Sequence, residues 1–140
     1  MASTPKYMAV QGAALLVGAA LVVLGVLGFI PGITSDYDRL GWAEPDSGAR
    51  LFGTITVSVV HNVVNILIGG IGFWMARTYA AARAYFLGGG LVYLALWVYG
   101  LTIAHVNDWL HLGLSIVMVL LGLTLAGQHD PTKRRRRIRA

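Results

Sequence analysis

The chain contains no cysteine, which excludes a disulfide framework, a thiolate metal site and a cysteine nucleophile, and leaves the redox compartment unmarked. Charge is nearly as scarce. Only 12% of the 140 residues are Asp, Glu, Lys or Arg, about half the share of an ordinary soluble domain. One domain of this length with so few charges cannot clothe a soluble core, so soluble enzyme, disordered chain and nucleic-acid module are all poor readings. Nothing marks an enzyme either. No Ser or Lys lies beside a plausible base within an apolar run, no glycine-rich phosphate loop follows a strand, and paired carboxylates inside such a run are missing.

What is present is apolar: 56% of the residues are hydrophobic, gathered in four long runs almost free of charge. A bilayer core of about 30 Å takes about 20 helical residues, and each run reaches that length. The spans read as about 7–30, 51–76, 84–104 and 108–127. The first stops at Pro31-Gly32, which cannot continue a helix. It is too long for a signal-peptide core and has no clear small-x-small site before Pro31, so it reads as a span. The second exceeds the bilayer core, so its ends must protrude or tilt. Together the runs predict an all-α, integral-membrane, antiparallel four-helix bundle forming a single domain.

Lys and Arg collect on the cytoplasmic side of membrane proteins. Lys6, Arg77, Arg83, Lys133, Arg134, Arg135, Arg136, Arg137 and Arg139 fall on one side, while only Arg39 and Arg50 fall on the other. The side poor in basic residues also carries Asp36, Asp38, Glu44, Asp46 and Asp108. Both termini are therefore expected in the cytoplasm, with the 31–50 loop outside, and the net charge of +5 is an orientation signal that needs no nucleic-acid partner. The basic cluster at Lys133, Arg134, Arg135, Arg136, Arg137 and Arg139 in the 128–140 tail is expected to touch anionic headgroups. Trp42 and Tyr37 in the outer loop suit the headgroup level, where aromatic rings are favoured.

Helices in lipid associate through small residues and a few interhelical hydrogen bonds, which makes the 18 glycines informative. Gln11, Ala14, Gly18, Gly25 and Gly28 draw one stripe along the first span. Thr54, Ser58, His61, Asn65, Gly69 and Gly72 draw a second; Gly89, Tyr93, Trp97 and Gly100 a third; His111, Ser115, Met118 and Gly122 a fourth. Of these, Gly18, Gly25, Ser58, Gly69, Gly72, Gly89, Ser115 and Gly122 are the expected packing positions. Histidine is different, because a strongly polar group inside a membrane is expensive unless paired. His61 reads as about 15 Å along the second span from Leu51. If that span protrudes outward, His61 comes level with His111, and the two can share a polar cluster with Asn62, Asn65 and Asp108. Three readings stay open for the cluster: a hydrogen-bonded structural knot, a site for a ligand or proton, and a metal or bis-histidine haem site. No cofactor is assigned. His105 reads as a loop residue and His129 as part of the tail.

The run Phe52-Gly53, Ser58, His61-Asn62, Asn65, Gly69 and Gly72, followed by Asn107-Asp108-Trp109-Leu110-His111-Leu112, resembles domain-of-unknown-function family 4383 over about Met8 to Gly127. The resemblance implies a small bacterial membrane protein with four spans and leaves the activity open. The family pattern places a second histidine three residues after the His-Asn pair, where this chain has Asn65, and an Asp-Asn order where this chain has Asn107-Asp108. Both departures suit a hydrogen-bond network better than a strict ligand set. The expected role is that of an accessory or scaffold subunit of the bacterial inner membrane, acting through helix packing with itself or a larger complex. The alternative is a ligand-, proton-, haem- or metal-binding bundle using His61 and His111.

Overall fold

A computed structural model describes residues 9–43, 46–104 and 109–125. Lys6, Glu44, His105, Asn107, Asp108, His129, Lys133, Arg134, Arg135, Arg136, Arg137 and Arg139 lie outside the described residues. Four helices dominate. Helix α1 spans Ala9–Leu27 and stops short of Pro31-Gly32, as the ring and missing N–H of proline require. Its last turn is closed by Ile30 N–H donating to the Leu27 carbonyl and by Thr34 Oγ1 donating to the same oxygen at 3.0 Å. That satisfies a carbonyl no helical partner reaches.

The expectation of an all-α chain needs one correction, because residues after α1 build a small sheet. Strands β1 (Thr34–Ser35), β2 (Arg50–Leu51) and β3 (Ile55–Thr56) pair antiparallel in that order, with Thr34 opposite Leu51 and Arg50 opposite Thr56. Ala49, Leu51 and Val57 form its buried side and pack on Leu24 and Leu27 of α1, with Ile33, Leu40 and Ile55 around them. Ser47 Oγ clasps the layer, accepting from Gly41 N–H and donating to the Val57 carbonyl. The 51–58 stretch lacks charge, yet its β-branched Thr54-Ile55-Thr56-Val57 run favours a pleated surface over a helix. Absence of charge is not helix propensity.

Helix α2 accordingly begins at Val59 and runs to Met75. Ser58 is its N-cap: the backbone is extended and the side chain accepts from His61 N–H at 3.1 Å. Thr54 therefore lies in a turn rather than on the helical stripe. Helix α3 spans Tyr79–Tyr99, five residues ahead of the expected start, because Thr78 caps it by accepting from Ala81 N–H and Arg83 sits exposed on its surface. It runs on into a π-helical turn over Gly100–Ala104. Helix α4 spans Trp109–Thr124. Two helical stretches, Ala9–Leu27 and Tyr79–Ile103, are long and apolar enough to cross a membrane; α2 and α4 are shorter apolar helices.

The helices pack as two hairpins, α1 with α2 and α3 with α4. In the first, a Cβ on Gly18 would come 2.8 Å from the Gly69 carbonyl oxygen, and one on Gly25 would meet the Asn62 carbonyl oxygen at 2.5 Å. Rising numbers on α1 thus oppose falling numbers on α2, with backbone against backbone. In the second, Gly90 lies against Ser115 and Val119, and Gly122 against Leu87 and Phe86. Ser115 Oγ donates to the Gly90 carbonyl at 2.8 Å. Gly90 is the buried glycine of α3, while Gly89 abuts only the end of the Met118 side chain. Val10, Ala14, Leu21, Ala76, Ala82, Tyr85, Phe86, Tyr93 and Met118 complete the interior. The large aliphatic side chains mostly point the other way: Leu16 and Val23 of α1, Leu67 and Ile71 of α2, Leu91 and Val92 of α3, and Leu120 and Leu123 of α4 are exposed.

Candidate functional site

Capping decides where the polar residues end up. With Ser58 as the N-cap, His61 falls in the first turn of α2, not midway along a span that starts at Leu51. His111 falls in the first turn of α4. The two imidazoles meet at that end of the molecule, with ring centroids 5.0 Å apart and planes tilted by 30°. A third ring joins them, since Tyr93 of α3 lies 5.6 Å from His111 at 32°. Its hydroxyl donates to Asn65 Oδ1 at 2.8 Å, one helical turn along α2 from His61. Three helices therefore contribute to one polar centre, and His61 and Asn65 are 5% and 1% exposed there, while His111 is half-buried.

Asn62 belongs to a different face. It is fully buried against α1, where its carboxamide occupies the space that the missing Cβ of Gly28 leaves open. Among the described residues neither its Oδ1 nor its Nδ2 finds a hydrogen-bond partner. The structure thus brings His61, Asn65 and His111 together, sets Asn62 beside them on the α1 side, and leaves Asp108 outside the described residues.

Sequence reasoning missed Tyr93 as a member of this centre. The sequence does carry a signal: Tyr93 falls on the aromatic stripe of the third run, and a buried tyrosine hydroxyl needs a partner. An asparagine on the facing helix is the natural acceptor. Gln11 makes a comparable link at the opposite end, with Nε2 donating to the Ala76 carbonyl at 3.0 Å, which ties the start of α1 to the end of α2. Of the expected packing positions, Gly18, Gly25, Gly69, Gly72, Ser115 and Gly122 are buried between helices, whereas Ser58 acts as a cap.

Among the described residues no three His, Cys, Asp or Glu side chains gather where they could hold a metal ion. Bis-histidine haem is a poor match as well. With a metal–nitrogen bond of about 2.0 Å and a ring nitrogen about 1.2 Å from its own centroid, trans ligation puts the centroids about 6.4 Å apart. The observed 5.0 Å is shorter by more than an ångström.

Four helices in two glycine-packed hairpins, a small sheet folded over one end and a polar centre beneath that end define a small, mostly helical protein with an apolar exterior. The chain belongs to the family described as Domain of unknown function (DUF4383), whose model matches residues 11–124. No curated protein and no solved structure matches it.

Proposed function

We propose that the chain is a four-span protein of the bacterial inner membrane, built as an antiparallel bundle with both termini in the cytoplasm, and that it serves as an accessory or scaffold subunit. One observation carries the membrane part. Large aliphatic side chains are exposed on all four helices, while glycine, serine, asparagine and histidine share the interior with a few apolar residues such as Tyr85, Phe86, Tyr93 and Met118. In water that arrangement is upside down, but in lipid it is the expected one, because tails solvate leucine and small residues let helices approach. Exposed aromatics at both ends add to it: Trp42, Phe52, Tyr99 and Trp109 near the sheet end, Phe73 and Trp74 near the other. Tryptophan and tyrosine are favoured at membrane–water interfaces.

The scaffold part is supported by glycines that the fold itself does not use. A Cβ at Gly12, Gly70, Gly88 or Gly113, one glycine on each helix, would meet nothing within 4 Å. Such positions permit close approach by a helix of another chain. Contact of the basic residues Lys133, Arg134, Arg135, Arg136, Arg137 and Arg139 with anionic headgroups belongs to the same proposal, since each such charge adds about 1 kcal/mol of attraction near an anionic surface. Cysteine labelling tests the topology cleanly in a chain with no native thiol. A cysteine at exposed Asp38 in the outer loop should react with an impermeant reagent in intact cells, and reaction only after lysis overturns the orientation. Gentle solubilisation tests the role. Oligomers or a stoichiometric partner polypeptide are expected, and monomers without one refute the scaffold reading.

A second reading, in which the polar centre binds a ligand, is favoured by the meeting of His61 with His111.

A further inference from the structure

We infer that His61 and His111 form a two-imidazole binding site for a divalent transition-metal ion of the zinc or copper class. This goes beyond the scaffold proposal and holds whether or not that proposal stands. The inference starts from the ring separation. With a zinc–nitrogen bond of about 2.0–2.1 Å and a ring nitrogen about 1.2 Å from its own centroid, two imidazoles on one tetrahedral ion have centroids about 5.2 Å apart. The observed value is 5.0 Å. Simple stacking reaches the same distance, so the surroundings must decide between the two.

They favour a held pair of ligands. His61 is fixed at its backbone, where its N–H donates to the Ser58 cap in the first turn of α2. His111 is flanked by the Tyr93 ring, and Tyr93 is itself fixed by its hydroxyl bond to buried Asn65. Orientation of ligating imidazoles by neighbouring groups is the usual support of a metal site. The antiparallel register that sets Tyr93 opposite Asn65 brings Trp97, one turn further along α3, level with His61. Its indole N–H is buried and has no hydrogen-bond partner among the described residues.

The donor set also defines the ion. Two neutral imidazoles suit zinc and copper, whereas magnesium and calcium require oxygen ligands. Two imidazoles leave coordination positions open for water or a small anion, and His111 is only half-buried. A site with open positions exchanges its ion more readily than a closed four-ligand site. Binding should therefore be stoichiometric but removable by chelator.

The test uses the full chain in detergent with an affinity tag free of histidine, titrated with zinc sulfate and separately with copper(II). One ion per chain is expected, with a copper(II) EPR spectrum showing coupling to two ring nitrogens. His111→Ala should weaken binding at least about tenfold, and His111→Cys should restore zinc because a thiolate is an equally good ligand. The double variant His105→Ala/His129→Ala should bind like the parent chain. Folding is checked for every variant by far-ultraviolet circular dichroism. If His61→Ala does not fold, the comparison of His111→Ala with His111→Cys still decides. Absence of stoichiometric binding to the parent chain overturns the inference, and so does a folded His111→Ala variant with unchanged affinity.

Discussion

Gly69 and Gly70 are adjacent on α2, yet the fold asks opposite things of them. A Cβ on Gly69 would stand 2.5 Å from the Gly18 carbonyl oxygen and 2.8 Å from Val22 N, whereas one on Gly70 would meet nothing within 4 Å. The obstacles at Gly69 are mainly backbone atoms of α1, so the strain is relieved only by parting the two helices. Overpacking of this kind costs about 1–3 kcal/mol. Replacing a helical glycine by alanine also stabilises a helix by about 0.5–1 kcal/mol through lost unfolded-state freedom. That gain is common to Gly69→Ala and Gly70→Ala. The difference between the two variants therefore isolates the packing contribution, about 1–3 kcal/mol, or roughly a 5- to 150-fold change in the unfolding equilibrium. Reversible unfolding in mixed micelles, followed by circular dichroism as SDS is raised, measures it. Gly70→Ala should unfold at the same or a higher SDS fraction than the parent, and Gly69→Ala at a lower one. Equal midpoints, or a Gly70 variant weaker than the Gly69 variant, would show that α1 and α2 do not cross at Gly18 and Gly69.

Three further outcomes follow from single contacts. Ser58→Ala removes the cap of α2 and should cost about 0.5–2 kcal/mol in the same unfolding assay, with Ser58→Asp restoring most of it. Tyr93→Phe deletes the interhelical bond to Asn65 and should cost about 0.6 kcal/mol, up to about 1.7, and the double variant with Asn65→Leu should be clearly non-additive. Phe52 holds a left-handed backbone with φ of +53°, so Phe52→Gly should raise stability by about 1 kcal/mol, and a loss instead would mean that the exposed ring is held by something outside the chain.

The helical faces were legible in the sequence because helical periodicity survives any error in the boundaries. Gln11, Ala14, Gly18 and Gly25 are buried in α1 and Gly28 in the turn just after it, as are His61, Asn65, Gly69 and Gly72 in α2. Boundaries were less legible, since they depend on single side chains. Ser58 and Thr78 each accept a backbone N–H and so start α2 eight residues late and α3 five residues early relative to the hydrophobic runs. The sheet was not legible at all. Its strands are two residues each and are held by contacts between residues as distant as Thr34 and Leu51, which no local pattern announces. Within the polar centre, His61, Asn65 and His111 stood out as polar residues in apolar runs. Tyr93 did not, because an aromatic residue in such a run looks like core until a facing acceptor is known.

The position of that centre follows from how the hairpins are made. Each hairpin is closed by glycine, which lets backbones touch: Gly18 against Gly69 in one, Gly90 against Ser115 in the other. Between the hairpins the contacts run through long side chains instead, with Tyr85 laid over Gly72, Tyr93 bonded to Asn65, and His61 beside His111. Backbone-to-backbone packing tolerates no separation, because the dispersion contacts it makes fall off within an ångström. A seam of side chains can widen by changing rotamers while the hairpins stay whole. Ligation of one ion by both imidazoles would then join α2 of the first hairpin to α4 of the second at the end where the sheet packs on α1, and so hold closed a seam that side chains alone leave free to widen.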